Sequence, residues 1–368
     1  MNDALSYADE FGPIKIVHIY EPRTGLRAIV AIDNVACGPA IGGVRMARDV
    51  STTEAFRLAR AMTQKNAAAG LAHGGGKSVI FGDPKMPLAE KERTVRAFAQ
   101  AIGELSEYIP GPDMGTDERC MGWIKDEIGR AVGLPRELGG IPLDEIGATG
   151  FGIAVAVDAA REFIGLDLKG ARVAVQGFGA VGRHAARFLR QRGATLVAAS
   201  DSHGTLVDPD GLDVAALTAL KHEGRPLSEH PAGRKLDRDA ILDVPCDIWI
   251  PAARPDVLTE SNVGRLKARL VAEGANIPAT VEAEQALHRN GTLVIPDFIA
   301  NAGGVICAAI EYRSGSEAQV FAAIEEKIST NTRHVLAASR ESNATPRAAA
   351  SDLAERRVRR AMEFRRSG

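Results

Sequence analysis

The chain has 368 residues, 45% hydrophobic and 25% charged, ordinary values for a globular protein and enough length for about two domains. Its 45 basic and 47 acidic residues leave a net charge of −2, so no overall positive field points to nucleic acid. The cysteines, Cys37, Cys120, Cys246 and Cys307, are spaced for neither a zinc knuckle nor a disulfide framework, so a reducing, cytoplasmic setting is expected.

Residues 1–13 include acidic side chains and lack the apolar core of a signal peptide. Residues 14–20 alternate loosely between Pro13 and Pro22 and predict a strand. A Thr24-Gly25 turn leads into residues 26–32, which completes a hairpin. Ser51 and Glu54 form a capping box that opens a helix to Ala69, closed by Gly70. On that helix Ala55, Leu58, Ala59, Met62, Asn66 and Ala69 share one stripe, with Lys65 at its edge. A lysine there either snorkels to solvent or aims a cation into a cleft to hold an anion.

Next comes Gly74-Gly75-Gly76-Lys77 on an apolar strand. The glycines clear one wall of side chains beside the lysine. Desolvation in such a place lowers a lysine pKa, which suits acid–base or carbonyl chemistry. Residues 110–116, Pro-Gly-Pro-Asp-Met-Gly-Thr, read as a rigid loop presenting Asp113. Alone, such an aspartate is usually a turn former.

From about residue 150 the rhythm changes. Apolar runs at residues 172–176, 195–200, 247–250, 270–272 and 293–296 alternate with helical stretches. That pattern predicts a parallel sheet covered on both faces. Gln176 leads into Gly177, Phe178, Gly179, Ala180, Val181 and Gly182, a G-x-G-x-x-G turn between strand and helix. Here the glycines allow a tight turn, a close approach of pyrophosphate and close helix packing. Asp201 ends the next strand, where a carboxylate accepts from ribose hydroxyls and disfavours a 2′-phosphate. NAD is therefore the expected cofactor, with NADP not excluded, since Ser202 and His203 could tolerate a phosphate.

Residues 221–243 are polar and turn-rich and read as a surface excursion. The longest apolar stretch, residues 298–310, is interrupted by Asn301, Gly303 and Gly304 and is too short for a membrane span. Residues 316–368 look helical, with Thr345-Pro346 opening the last helix. Its arginines (356, 357, 359, 360, 365, 366) interleave with Glu355 and Glu363 and read as a solvated face. The histidines show no metal spacing, and His73 reads as a loop or lining residue.

Together the motifs resemble the glutamate/leucine/phenylalanine/valine dehydrogenase superfamily. The likeness is carried by residues 62–77, by Pro112-Asp113-Met114-Gly115-Thr116, by Glu273-Gly274-Ala275-Asn276 and by residues 296–305, in the family's order. It implies an α/β fold of two domains. Residues 1–140 would form a substrate-binding and oligomerisation domain and residues 141–325 a Rossmann domain. Residues 326–368 would return as helices to the first, with the active site in the cleft between the two. The resemblance also implies roles. Lys65 would bind the α-carboxylate, Lys77 would activate water, and Asp113 would shuttle protons to and from the amino group. Thr149 and Asn276 would touch the cofactor. The partners would be an amino acid or 2-oxo acid and ammonia, within a homo-oligomer, with no metal, membrane or nucleic acid.

Glutamate members place a lysine in G-P-x-K-G-G and a serine three residues after N-A-G-G-V. Here those positions hold Ile41, followed by Gly42, and Ala308. With Met62 nearby, the expected pocket is apolar and suits branched-chain amino acids first and phenylalanine second. Residues 113–118 and 273–278 look closer to glutamate members, which leaves glutamate dehydrogenase as the alternative. A non-catalytic NAD-binding regulator is more remote, because Lys77 and Asp113 are both present.

Overall fold

A computed structural model describes residues 4–365. The chain divides into two compact units. The first takes Met1–Pro142, Val305–Val320 and Ser351–Gly368; the second takes Leu143–Gly304 and Phe321–Ala350.

The first unit holds strands β1 (Lys15–Glu21), β2 (Leu26–Asn34) and β3 (Ala40–Ala47), then helix α1 (Thr52–Ala68). Strand β4 (Gly74–Phe81), helix α2 (Leu88–Ala101), strand β5 (Tyr108–Pro112) and helix α3 (Glu118–Ile128) follow. The five strands form one sheet in the order β1-β2-β4-β3-β5. β1, β2 and β4 pair antiparallel, whereas β3 runs parallel to both β4 and β5. Ala55 and Ala59 of α1 pack on Ile29, Ala31 and Val79. Phe98 and Ile102 from the α2 region, with Met121 and Ile124 of α3, pack with Val30, Ile32 and Val44 in a second core cluster. Ser51 caps α1 by accepting from Glu54 N.

The stretch expected as a loop before Asp113 is strand β5. Pro110 and Pro112 are tolerated because β5 is the last strand of its sheet and pairs on one side with β3.

The second unit opens with α4 (Leu143–Ile146), α5 (Ala148–Ala160), β6 (Arg172–Gln176), α6 (Ala180–Gln191), β7 (Thr195–Asp201) and β8 (Gly204–Val207). It continues with α7 (Val214–His222), β9 (Arg234–Leu236), β10 (Ile248–Pro251), β11 (Leu270–Ala272), α8 (Val281–Arg289) and β12 (Leu293–Ile295). Four helices close the chain: α9 (Asp297–Ala300), α10 (Gly303–Tyr312), α11 (Glu317–Ser342) and α12 (Pro346–Met362). The seven-stranded sheet runs β12-β11-β10-β6-β7-β8-β9, parallel from β12 to β7 and antiparallel beyond. Part of residues 221–243 is thus not an excursion, since residues 234–236 extend this sheet.

The expectation that residues 326–368 all return to the first unit needs correction: residues 321–350 belong to the second. The reason lies on α5, whose Gly152 leaves room for Ile328; an added Cβ would lie 2.7 Å from that side chain. Phe151 also meets Phe321, with ring centroids 4.9 Å apart. From Ser351 onward α12 joins the first unit, where Arg357 donates to the carbonyl oxygens of Ala67 and Ala68 at the end of α1. That arginine serves as a clamp rather than as part of a solvated face. Arg366 lies outside the described residues.

Among the described residues no helix is long and apolar enough to cross a membrane, and no group of three or more His, Cys, Asp or Glu could hold a metal.

Candidate active site

In the first unit β4, β3 and β5 lie side by side, with Gly75 opposite Ile41 and Ile41 opposite Ile109. Side chains two apart on a strand share a face. Ile41, Gly43 and Arg45 therefore stand on the face that Gly75 and Lys77 occupy on β4. An added Cβ on Gly43 would lie 2.8 Å from Asp113 Cβ and 3.1 Å from Lys77 Nζ, so only glycine leaves room for that pair. Neighbouring glycines are fixed by backbone. Added Cβ atoms on Gly42, Gly74 and Gly75 would lie 1.6, 1.8 and 2.0 Å from Gly76 O, Asn34 O and Thr63 N.

Lys77 is 6% exposed. Its Nζ donates to Asp113 Oδ2. Burial first, then the cations of Arg45 and Lys65, bring its pKa down to about 7, with Glu54 acting against them. Lys65 of α1 thus stands near enough to act on Lys77 by its charge, and Met62 lies partly buried on the same helix. Asp113 directly follows β5, and its loop is held by the Thr116 hydroxyl, which donates to Val44 O at 2.7 Å. Met114 N donates to Asp113 Oδ1 at 2.6 Å.

Arg45 is the site member that the sequence reading missed. Its Nη1 donates to Glu54 Oε1 at 2.6 Å and its Nη2 reaches Asp113 Oδ1 at 3.5 Å. Period-two spacing from Ile41 and Gly43 was the available signal. His73 is buried, with Nδ1 3.1 Å from Pro39 O and its ring edge-on to Tyr312.

Ile41, Ile109 and Val132 form a small apolar cluster with Ala308 packed against it. Ala308 is held there through α10, whose Glu311 accepts from Leu134 N at 3.1 Å and Ile141 N at 2.9 Å.

In the second unit the residues at 177–182 fit a dinucleotide. Gly177 has φ +92°, and an added Cβ would lie 2.7 Å from Ala253. One on Gly182 would lie 2.1 Å from Gly177 O. An added Cβ on Gly179, by contrast, would meet nothing within 4 Å, and α6 starts there without a side-chain cap. An open wall at an uncapped helix N-terminus is the arrangement that accepts a pyrophosphate. Phe178 is a different case. Its side chain is buried, and the N–H groups of Gly177 and Phe178 donate to Ser200 O at 3.0 and 2.8 Å. The donors left for phosphate are those from Gly179 through Ala180 and Val181.

Asp201 ends β7 with its carboxylate already engaged. It accepts from His203 N, Leu227 N and Lys221 Nζ, each at 2.9 Å. Burial works to raise its pKa, but these donors outweigh it and hold the carboxyl below its ordinary range. Thr149 lies in the first turn of α5, and its hydroxyl would be 3.3 Å from an added Cβ on Gly304. Asn276 is exposed, and its Oδ1 accepts from Asn301 Nδ2 at 3.0 Å.

Both parts of the chain match models of one known family. Residues 14–130 match the Glu/Leu/Phe/Val dehydrogenase dimerisation domain, and residues 139–366 match Glutamate/Leucine/Phenylalanine/Valine dehydrogenase. The chain belongs to the glutamate/leucine/phenylalanine/valine dehydrogenase family. It is 40% identical to a glutamate dehydrogenase of Aeropyrum pernix over 357 residues, covering 90% of this chain and 85% of that protein. Its fold is similar to that of the hetero-hexameric glutamate dehydrogenase of Thermus thermophilus in its Leu-bound form. There the TM-score is 0.83 at 30% identity, over 96% of this chain and 90% of that one. L-tryptophan dehydrogenase of Nostoc punctiforme gives a TM-score of 0.76 at 26% identity, over 96% of this chain and 98% of that one. This member of the glutamate/leucine/phenylalanine/valine dehydrogenases is an amino-acid dehydrogenase that acts on the CH–NH2 group with NAD or NADP.

Proposed function

We propose that this dehydrogenase oxidatively deaminates an L-amino acid with an apolar side chain, branched-chain first and phenylalanine second. The observation that carries this reading is the cluster of Ile41, Ile109, Val132 and Ala308. Ile41 stands on the strand face that Gly43 opens to Lys77 and Asp113. A side-chain carboxylate buried against that cluster without a cation would cost several kcal/mol.

Lys65 takes the α-carboxylate. A dinucleotide held at Gly179, Ala180 and Val181 would supply the acceptor for the hydride that leaves Cα. Thr149 and Asn276 help to hold the dinucleotide. The iminium left on the substrate is attacked by water, whose proton passes to neutral Lys77. Asp113 carries protons to and from the nitrogen. The carbinolamine then loses ammonia, and the sum is amino acid plus water to 2-oxo acid, ammonium, hydride and proton. A carboxylate and two cations fixed in a partly desolvated site suit the charge that develops. NAD is our first choice and NADP the second, since Lys221 balances the charge by which Asp201 would repel a 2′-phosphate. We also infer a homo-oligomer: the dimerisation-domain match supports assembly, as does the Thermus thermophilus neighbour, itself a hetero-hexamer.

Glutamate is the second reading, and the comparisons weigh towards it more than towards an apolar substrate. The Aeropyrum pernix relative, similar over most of the chain, is a glutamate dehydrogenase. One panel separates the two: kcat/KM for leucine, valine, phenylalanine and glutamate, each with NAD and NADP. Preference for an apolar substrate supports the first reading, and preference for glutamate replaces it with the second.

A further inference from the structure

We infer that Arg347, in the first turn of α12, is a positioning residue for the dinucleotide, because it ties down both ends of the loop that carries Asn276. The inference rests on the reading above that Asn276 touches the cofactor.

Arg347 gathers three carboxylates from three elements. Its Nε donates to Glu284 Oε1 at 2.6 Å, Nη1 to Asp297 Oδ1 at 2.9 Å, and Nη2 to Glu273 Oε2 at 2.7 Å. Glu273 begins the loop and is 0% exposed. Its Oε2 also accepts from Asp297 N at 2.9 Å. Asp297 in turn uses Oδ2 to accept from Ile277 N at 2.8 Å. The guanidinium therefore fixes residue 273 directly and residue 277 through Asp297.

Between those two anchors the loop has a shape that needs holding. Ile277 has φ +48°, a conformation that a β-branched residue adopts only under constraint, and its side chain is 56% exposed. Packing of Ile277 cannot supply the constraint; its backbone bonds do, the N–H donating to Asp297 and the carbonyl accepting from Asp256 N at 3.0 Å. Gly274 N and Ala275 N donate to Pro251 O, tying the loop to the end of β10. Asn276 itself is exposed and oriented by Asn301.

The cluster is more elaborate than a simple stabilising ion pair. One guanidinium faces three carboxyl groups, and burial pushes Glu273 well up and Glu284 up against the pull of Arg347. Buried charges arranged this way are better explained by the geometry they fix than by net stability.

The test uses purified full-length Arg347→Lys and Arg347→Met. The lysine keeps the charge but has a single head that cannot span three carboxylates. NADH affinity is read from NADH fluorescence on titration, with kcat and both KM values measured alongside and thermal melts recorded. We expect Kd for NADH to rise about tenfold or more in Arg347→Met and less in Arg347→Lys. KM for the amino acid at saturating dinucleotide should stay within about twofold. Folded variants with unchanged NADH affinity would overturn the proposal. So would loss of a cooperative melt in both, which would make Arg347 a requirement of the fold. The same titration is run with NADPH, and a wild-type protein that binds neither dinucleotide would instead sink the reading on which Asn276 touches a cofactor.

Discussion

Arg45 and Lys77 hold the two oxygens of one carboxylate, with Arg45 Nη2 3.5 Å from Asp113 Oδ1 and Lys77 Nζ on Oδ2. The two cations also act on each other: Arg45 helps bring the Lys77 pKa down to about 7. A general base must be deprotonated, so kcat/KM for oxidative deamination should rise through about pH 7 with one ionisation. Removing Arg45 removes a repelling cation, and Lys77 then keeps its proton to higher pH. Arg45→Met should move the rising limb to higher pH and lower kcat about tenfold, with Arg45→Lys in between. A limb that stays put or moves down would contradict this arrangement.

The apolar cluster gives a gain-of-function test. Ile41→Lys with Ala308→Ser would place a cation and a hydroxyl where glutamate members have them. The double variant should gain glutamate activity about tenfold or more and lose leucine activity about a hundredfold. Steady-state kinetics on both amino acids would check it. Loss of activity on both, in a folded protein, would mean that these positions do not read the side chain.

Lys221 and Asp201 set a cofactor experiment. With the lysine removed, Asp201 would be an unbalanced carboxylate at the proposed ribose end of the site. Lys221→Met should increase preference for NAD over NADP by about tenfold, or 1.4 kcal/mol. KM values for the two dinucleotides would show it. A shift towards NADP would count against Asp201 facing the ribose.

Ser51 links stability to the site, because it caps α1 beside Glu54, which in turn holds Arg45. Ser51→Ala should cost about 1 kcal/mol, seen as a lower urea midpoint.

How far the sequence could be read follows from how local each cause is. The cap at Ser51, the hairpin at Thr24-Gly25, and β4 with its lysine depend on neighbouring residues, and the structure has each in place. β5 was misread because two prolines suggest a loop. Its place at the sheet edge, which makes prolines harmless, depends on strand order. Arg45, Arg347 and Lys221 act on carboxylates distant in sequence, so charge pattern alone gave no hint of their partners. The assignment of residues 321–350 turned on aromatic packing between α5 and α11, which composition does not announce.

The glycines of the two sites answer to different judges. Gly42, Gly74 and Gly75 press against the protein's own backbone, whereas Gly179 faces open space. A library selected only for folding would therefore keep the first three and let position 179 drift. Selection for turnover would recover glycine at all four. Comparing the two outcomes would separate what the chain keeps for itself from what it keeps for its cofactor.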